Sequence, residues 1–298
     1  MKINAWAHRD NLNPMQCFTS ALNVLLTFSS FTCLALALTA CTKESNNTVD
    51  QAAINDTPEH TQTIHIAAAA NLSDVLPNVI EGYKVYRNLP QQNIEVTYAS
   101  SGKLYAQIKA GAPYDLFLSA NQEFPEKWVK ERPTTATAHK PFTYTQGQLS
   151  VYSVTKPVSK LTPATLAELL ISQKASKITI ANPELAPYGE SAKSYLQTQN
   201  VYDTLNNQKR IIQAENIGQA FQYAHTGSVD YGFVAQSQVI AIKATPEQFY
   251  ILPADAYPAI LQAGVVISDA AVATDFTSYL LSPTGQQYFA KAGYLEVR

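Results

Sequence analysis

The sequence predicts an α/β fold built on mostly parallel strands, and three observations carry that expectation. From Ile64 onward, short apolar or alternating runs take turns with stretches of helical periodicity. The runs are bounded by Gly, Pro, Asn, Asp and Ser, the residues that punctuate strands and helices. Setting aside the first 41 of the 298 residues leaves 257, enough for one large or two medium domains. Strands that alternate with helices run parallel, with the helices covering both faces of the sheet. Ligands in such sheets sit at the carboxyl ends of strands, where helices begin.

The elements follow in order. An apolar strand at 64–69 runs through an alanine series to Asn71 and feeds a helix at 72–86, which Pro77 should bend near its start. Asn71 with Asp74 three residues on reads as a cap for that helix. An alternating strand at 94–98 stops at Ser100-Ser101 and feeds a helix at 102–110, with Leu104, Ile108 and Ala110 on one side and Gly111 as its stop. Further strands are predicted at 115–119, 149–154, 177–181, 211–213, 229–234 and 261–267. The remaining helices are predicted at 122–130, 163–170, 189–199, 218–225, 271–281 and 283–290.

Residues 1–41 read as a targeting segment. Lys2 and Arg9 give a weakly basic start, residues 22–40 are apolar or small, and Leu38-Thr39-Ala40-Cys41 ends the run. A small residue before Cys at the end of an apolar run is the bacterial lipoprotein pattern, with Cys41 as the lipidated residue. An uncleaved membrane anchor is the alternative, since the run is long enough to span. Either reading places the remainder outside the cytoplasm and tethered to a membrane. Residues 42–63 are polar and aperiodic, and read as a disordered tether.

Cys17, Cys33 and Cys41 are the only cysteines, so the folded part holds no disulfide. Removing Lys2, Arg9 and Asp10 from totals of 21 basic and 23 acidic residues leaves 19 and 22, a net charge of −3. No basic stripe suited to nucleic acid is present.

The chemistry concentrates at Asn71 and at Ser100-Ser101. Each pairs a small polar side chain with a helix start, whose free N–H groups and dipole attract anions. Each could also do nothing beyond capping its own helix. Ser100-x-x-Lys103 matches the serine–lysine pair of penicillin-recognising acylases, but the companion motifs of those enzymes are missing. Lys103 reads better as a solvated helix residue, because the full phosphate-loop spacing is absent. His60, His65, His139 and His225 are scattered, with no pair at metal-ligand spacing. Asp115 and Asp230 each precede an apolar strand and read as turn or capping residues rather than a catalytic pair.

Three segments closely resemble the bacterial molybdate-binding proteins of ABC transporters: Ala67-Ala68-Ala69-Ala70-Asn71-Leu72, Tyr98-Ala99-Ser100-Ser101-Gly102-Lys103-Leu104, and the run from Gln107 through Ala110-Gly111-Ala112-Pro113-Tyr114-Asp115-Leu116-Phe117 to Ala120. Ala181-Asn182-Pro183, Pro187-Tyr188-Gly189, Glu215-Asn216-Ile217, Tyr231-Gly232-Phe233-Val234 and Ser282-Pro283-Thr284-Gly285-Gln286 follow in the family's order. The resemblance runs from about Ile64 to Arg298 and implies a two-lobed periplasmic-binding-protein-like fold of type II with two hinge crossings. Lobe one would be 64–142 plus 259–298, and lobe two 143–258. The ligand positions it implies are Asn71 and Ser101 in lobe one, with Tyr188 and the backbone N–H of Ile217 in lobe two. This chain has Asn71 where many members have Ser, and Tyr188 where many have Ala. It has Ala235 where those members place a tyrosine, and Ala70 where some carry a hydroxyl.

The function implied is capture of molybdate, and of tungstate, for an ABC importer permease. The protein would be a monomer with no catalytic residue, no permanent cofactor and no metal site beyond the oxyanion. Molybdate is a dianion that keeps no proton at neutral pH, so a site of donors suits it, including the Asn71 amide, the Ser101 hydroxyl and the Tyr188 phenol. A receptor for sulfate or another tetrahedral oxyanion is the nearest alternative.

Overall fold

The computed structural model describes residues 62–132 and 139–297. Cys41, the segment read as a signal and nearly all of the expected tether lie outside the described residues. From the N-terminal side the elements are β1 (Ile64–Ala69), α1 (Leu76–Arg87), β2 (Ile94–Ala99), α2 (Ser101–Lys109), β3 (Leu116–Leu118), α3 (Glu123–Glu131) and β4 (Phe142–Gly147). Then come β5 (Leu149–Tyr152), α4 (Pro163–Ser172), β6 (Ile178–Ala181), α5 (Pro187–Thr198), α6 (Tyr202–Asn207), β7 (Ile211–Ala214), α7 (Ile217–His225), β8 (Tyr231–Ala235), α8 (Gln236–Ala241) and β9 (Phe249–Ile251). The chain ends with β10 (Ile260–Val266), α9 (Ala271–Leu281) and α10 (Pro283–Lys291).

Two mixed five-stranded sheets result, ordered β2-β1-β3-β10-β4 and β7-β6-β8-β5-β9. In the first, β1 runs parallel to both β2 and β3, and β10 runs antiparallel to β3 and β4. The second repeats the plan: β6 is parallel to β7 and β8, and β5 antiparallel to β8 and β9. Both parallel cores are buried on two faces and read as nearly continuous apolar runs, IHIAAA in β1 and ITIA in β6. Alanines at 67–69 let helices pack closely over β1. Each sheet has apolar clusters on both faces: Leu76, Val79, Tyr83 and Phe276 on one side of the first, with Leu104, Ile108, Phe117 and Trp128 on the other.

The chain passes between the sheets twice, at Gln148 and again between β9 and β10. The sequence reading put the first crossing between residues 142 and 143, but β4 pairs with β10 and carries the first sheet on to Gly147. β4 and β9 escaped that reading because both lie at sheet edges and are only half-buried, which weakens the apolar pattern. α6 and α8 span six residues each, too short to display a helical period. Pro77 bends nothing. Ala70–Leu72 forms a 3-10 turn, and α1 begins at Leu76 with Pro77 in its first turn, where a missing N–H costs nothing. Asn71 therefore does not cap α1, whose N-cap is Val75.

Candidate functional site

The carboxyl ends of β1, β2, β6 and β7 face one cavity between the two sheets. Each strand there runs into a helical start: the 3-10 turn after β1, α2 after β2, α5 after β6 and α7 after β7. The cavity is lined by Ala70, Asn71, Ser100 and Ser101 from the first lobe, and by Tyr188 and Ile217 from the second. All four expected ligand positions thus meet at one place. The cavity is small, with a volume of about 10 Å³. Such a space suits one small compact molecule. None of its lining residues is charged.

Each side chain is held by its own surroundings. Ser101, first residue of α2, accepts a hydrogen bond on Oγ from the Ala120 N–H at 2.9 Å, which leaves its hydroxyl hydrogen to point elsewhere. Tyr188, in the first turn of α5, is 1% exposed and accepts at its hydroxyl from Gln262 Nε2 at 3.1 Å. Burial pushes its phenol well above the ordinary range, and the neighbouring tyrosines 294, 257 and 144 add to the rise while the Gln262 bond opposes it. Ile217 opens α7, whose N-cap Asn216 accepts from the Gln219 N–H at 3.0 Å. The Ile217 N–H, in the first turn of that helix, has no intrahelical partner.

Asn71 departs from expectation. Its amide was expected to donate into the cavity, yet Nδ2 donates to Gln262 Oε1 and to the Tyr294 hydroxyl, both at 3.0 Å. Its Oδ1 is buried without a partner. The Tyr294 hydroxyl in turn donates to the Asn71 carbonyl at 2.8 Å, and burial pushes that phenol up to about 12.

Two groups important here were not singled out as ligand positions from sequence. Ser100 lines the cavity, and its Oγ is buried with no partner, although it stands at the N-cap of α2. A capping hydroxyl that does not cap is free for something else. Gln262 is fully buried in β10 beneath the cavity wall. Its signal in the sequence is a lone amide inside Ile260–Val266, an otherwise apolar run.

The remaining candidates have structural roles. Lys103 Nζ pairs with Glu215 Oε1 at 2.6 Å, and Ser100 Oγ has no bond to it, so the two do not form a nucleophile–base pair. Asp115 accepts from the His65 N–H at 2.8 Å and from Ser268 Oγ at 2.6 Å, tying β1 to the loop after β10. Asp230 accepts from the Lys177 N–H at 2.8 Å, and His225 stacks on Phe221. Among the described residues no group of three or more His, Cys, Asp or Glu could hold a metal ion. No helix of the described residues is long and apolar enough to cross a membrane.

Comparison with known proteins places this arrangement. The family described as bacterial extracellular solute-binding protein matches residues 64–295. The molybdate-binding protein ModA of Rhodobacter capsulatus is 33% identical over 207 residues, 67% of this chain and 77% of that protein. A putative ABC transporter substrate-binding lipoprotein of Bacillus subtilis, YvgL, is 27% identical over 274 residues, 90% of this chain and 98% of its own length. Among solved structures, the periplasmic molybdate-binding protein of Azotobacter vinelandii superposes with a TM-score of 0.69 at 30% identity, covering 79% of this chain and all of that one. With this match over most of its length, the chain belongs to the bacterial extracellular solute-binding protein family.

Proposed function

We propose that this protein captures molybdate outside the cytoplasm and delivers it to an ABC importer. The observation that carries the reading is one small uncharged cavity on which helix starts and hydroxyl groups converge from both lobes. Helix N-termini offer partial positive charge and free N–H groups to an anion without a neutralising cation. The Ser100 and Ser101 hydroxyls, the Tyr188 phenol and the Ile217 N–H would supply hydrogens to the oxygens of the ion. Each such bond to a charged group contributes about 1.5–3 kcal/mol, so a handful would give sub-micromolar binding after association costs.

The same donors account for selectivity. Monohydrogen phosphate would bring its own proton into a site of donors, and a buried unpaired donor costs about 1–3 kcal/mol. Sulfate carries no such proton, and in a cavity shaped for the larger ion its contacts would be long. Tungstate, nearly the same size and charge as molybdate, would bind with it.

On this reading the chain acts as a monomer without cofactor and without catalysis. A lipid on Cys41 would tether it beside its permease, in keeping with the lipoprotein name of the Bacillus relative. The test is a panel of oxyanions in a thermal unfolding assay. Ligand at about 100 times its dissociation constant adds roughly 2.7 kcal/mol of stability, so molybdate and tungstate should raise the midpoint where sulfate and phosphate at equal concentration do not. Because burial holds the Tyr188 phenol well above its ordinary range, its hydrogen stays on through pH 9 and affinity should not fall between pH 7 and 9. Equal protection by sulfate would reject the molybdate reading.

A further inference from the structure

The buried polar network behind the cavity centres on Gln262, at the point where the register of β10 against β4 shifts. Its Oε1 accepts from Asn71 Nδ2 at 3.0 Å and lies 3.0 Å from the Tyr144 hydroxyl. Its Nε2 donates to the Tyr188 hydroxyl at 3.1 Å. Asn71 comes from the first lobe and Tyr188 from the second, so one amide holds a group from each wall of the cavity.

A phenol has one hydrogen. Gln262 is the only hydrogen-bond partner of the Tyr188 hydroxyl among the described residues, and there the phenol oxygen accepts. The hydrogen must therefore leave in another direction, and Tyr188 lines the cavity. The orientation of the Gln262 amide is tied to that of Asn71. Turning it alone would set Nε2 against Asn71 Nδ2, donor facing donor at 3.0 Å. Gly147 bears on the same bond. A Cβ at that position would overlap the Tyr188 hydroxyl and come within 2.7 Å of Gln262 Nε2, so the end of β4 leaves room for this contact only by lacking a side chain.

We propose that Gln262 is the positioning residue of the oxyanion site: its amide, anchored on Asn71, turns the Tyr188 phenol into a donor toward the ligand. The bond joins the two lobes beside the points where the chain crosses between the sheets. This rests on the oxyanion reading above.

The experiment is a double-mutant cycle on the full chain, with sodium molybdate as titrant and calorimetry as readout. Gln262→Met keeps the volume and removes both amide contacts. It should raise the dissociation constant about tenfold, Tyr188→Phe should raise it at least as much, and the double variant should bind within about twofold of Tyr188→Phe alone. Multiplied losses, or wild-type affinity in Gln262→Met, would overturn the proposal, because a merely structural residue would act independently of the phenol. Far-UV circular dichroism and the ligand-free melting midpoint report whether Gln262→Met folds. Gly147→Ala attacks the same bond from β4 and serves if it does not: about tenfold weaker binding supports the role, and unchanged affinity rejects it. Absence of molybdate binding by the wild-type chain would instead reject the oxyanion reading itself.

Discussion

At the scale of single residues, the two serines after β2 differ in what they give the fold. Ser101 Oγ already accepts from the Ala120 N–H, whereas Ser100 Oγ is buried and unpartnered. Removing Ser101's hydroxyl strands the buried Ala120 N–H, and on the proposed function it also removes a donor to the ligand; an unsatisfied buried group costs about 1–3 kcal/mol. Removing Ser100's hydroxyl strands nothing in the ligand-free protein. Ser101→Ala should therefore lower the ligand-free melting midpoint and weaken molybdate binding together. Ser100→Ala should leave the midpoint at or above wild type while still weakening binding about tenfold, the fold-change expected for losing about 1.5 kcal/mol at a charged acceptor. Melting curves and titrations on the two variants check this, and a Ser100→Ala protein with wild-type affinity would remove Ser100 from the site.

At the scale of elements, the site depends on how closely the α5 start approaches the end of β6. A Cβ at Gly189 would overlap the carbonyl of Ala181, so α5 can seat Tyr188 at the cavity only with glycine there. Gly189→Ala should push the first turn of α5 outward, weakening molybdate binding at least tenfold and costing about 1–3 kcal/mol of stability through overpacking; calorimetry and urea unfolding read both. Such tight junctions explain what the sequence disclosed and what it hid. The parallel strands β1 and β6 were legible because burial on both faces leaves an apolar run, and the edge strand β2 because its residues alternate up to Ser100-Ser101. Asn71, Ser101, Tyr188 and Ile217 were placed through family resemblance, and all four line one cavity. Their hydrogen bonds were not legible, because partners such as Gln262 and Tyr294 lie 191 and 223 residues from Asn71 and nothing local marks the pairing. The 3-10 turn at Ala70–Leu72 was also missed, since an acidic residue three positions after an asparagine reads as a helix cap whether or not the helix starts there.

For the whole molecule, the two lobes touch across the mouth of the cavity. The Gly102 N–H donates to the Leu185 carbonyl at 2.9 Å, and Lys103 Nζ meets Glu215 Oε1 at 2.6 Å, each contact joining α2 of the first lobe to a loop of the second. On the proposed function the lobes would close over the ligand, and contacts between them would then add to the ligand's preference for the closed state, so that their loss lowers affinity by lowering the closed population. The Lys103–Glu215 pair is nearly half exposed on both sides, 49% and 42% by side chain, so solvent screens it and its contribution falls in the range of about 0.2–1 kcal/mol measured for exposed pairs. Glu215→Gln keeps the shape and removes the charge. It should raise the molybdate dissociation constant by roughly 1.5- to 5-fold at about 0.01 M salt, where screening acts over about 30 Å. At about 1 M salt that length falls to about 3 Å, and the two proteins should then bind alike. Because neither residue lines the cavity, the difference belongs to closure rather than to the ion's own contacts. A loss that persists undiminished in high salt would place the effect of Glu215 on the local structure of the α7 start instead, and the ion pair would then have no part in holding the lobes together.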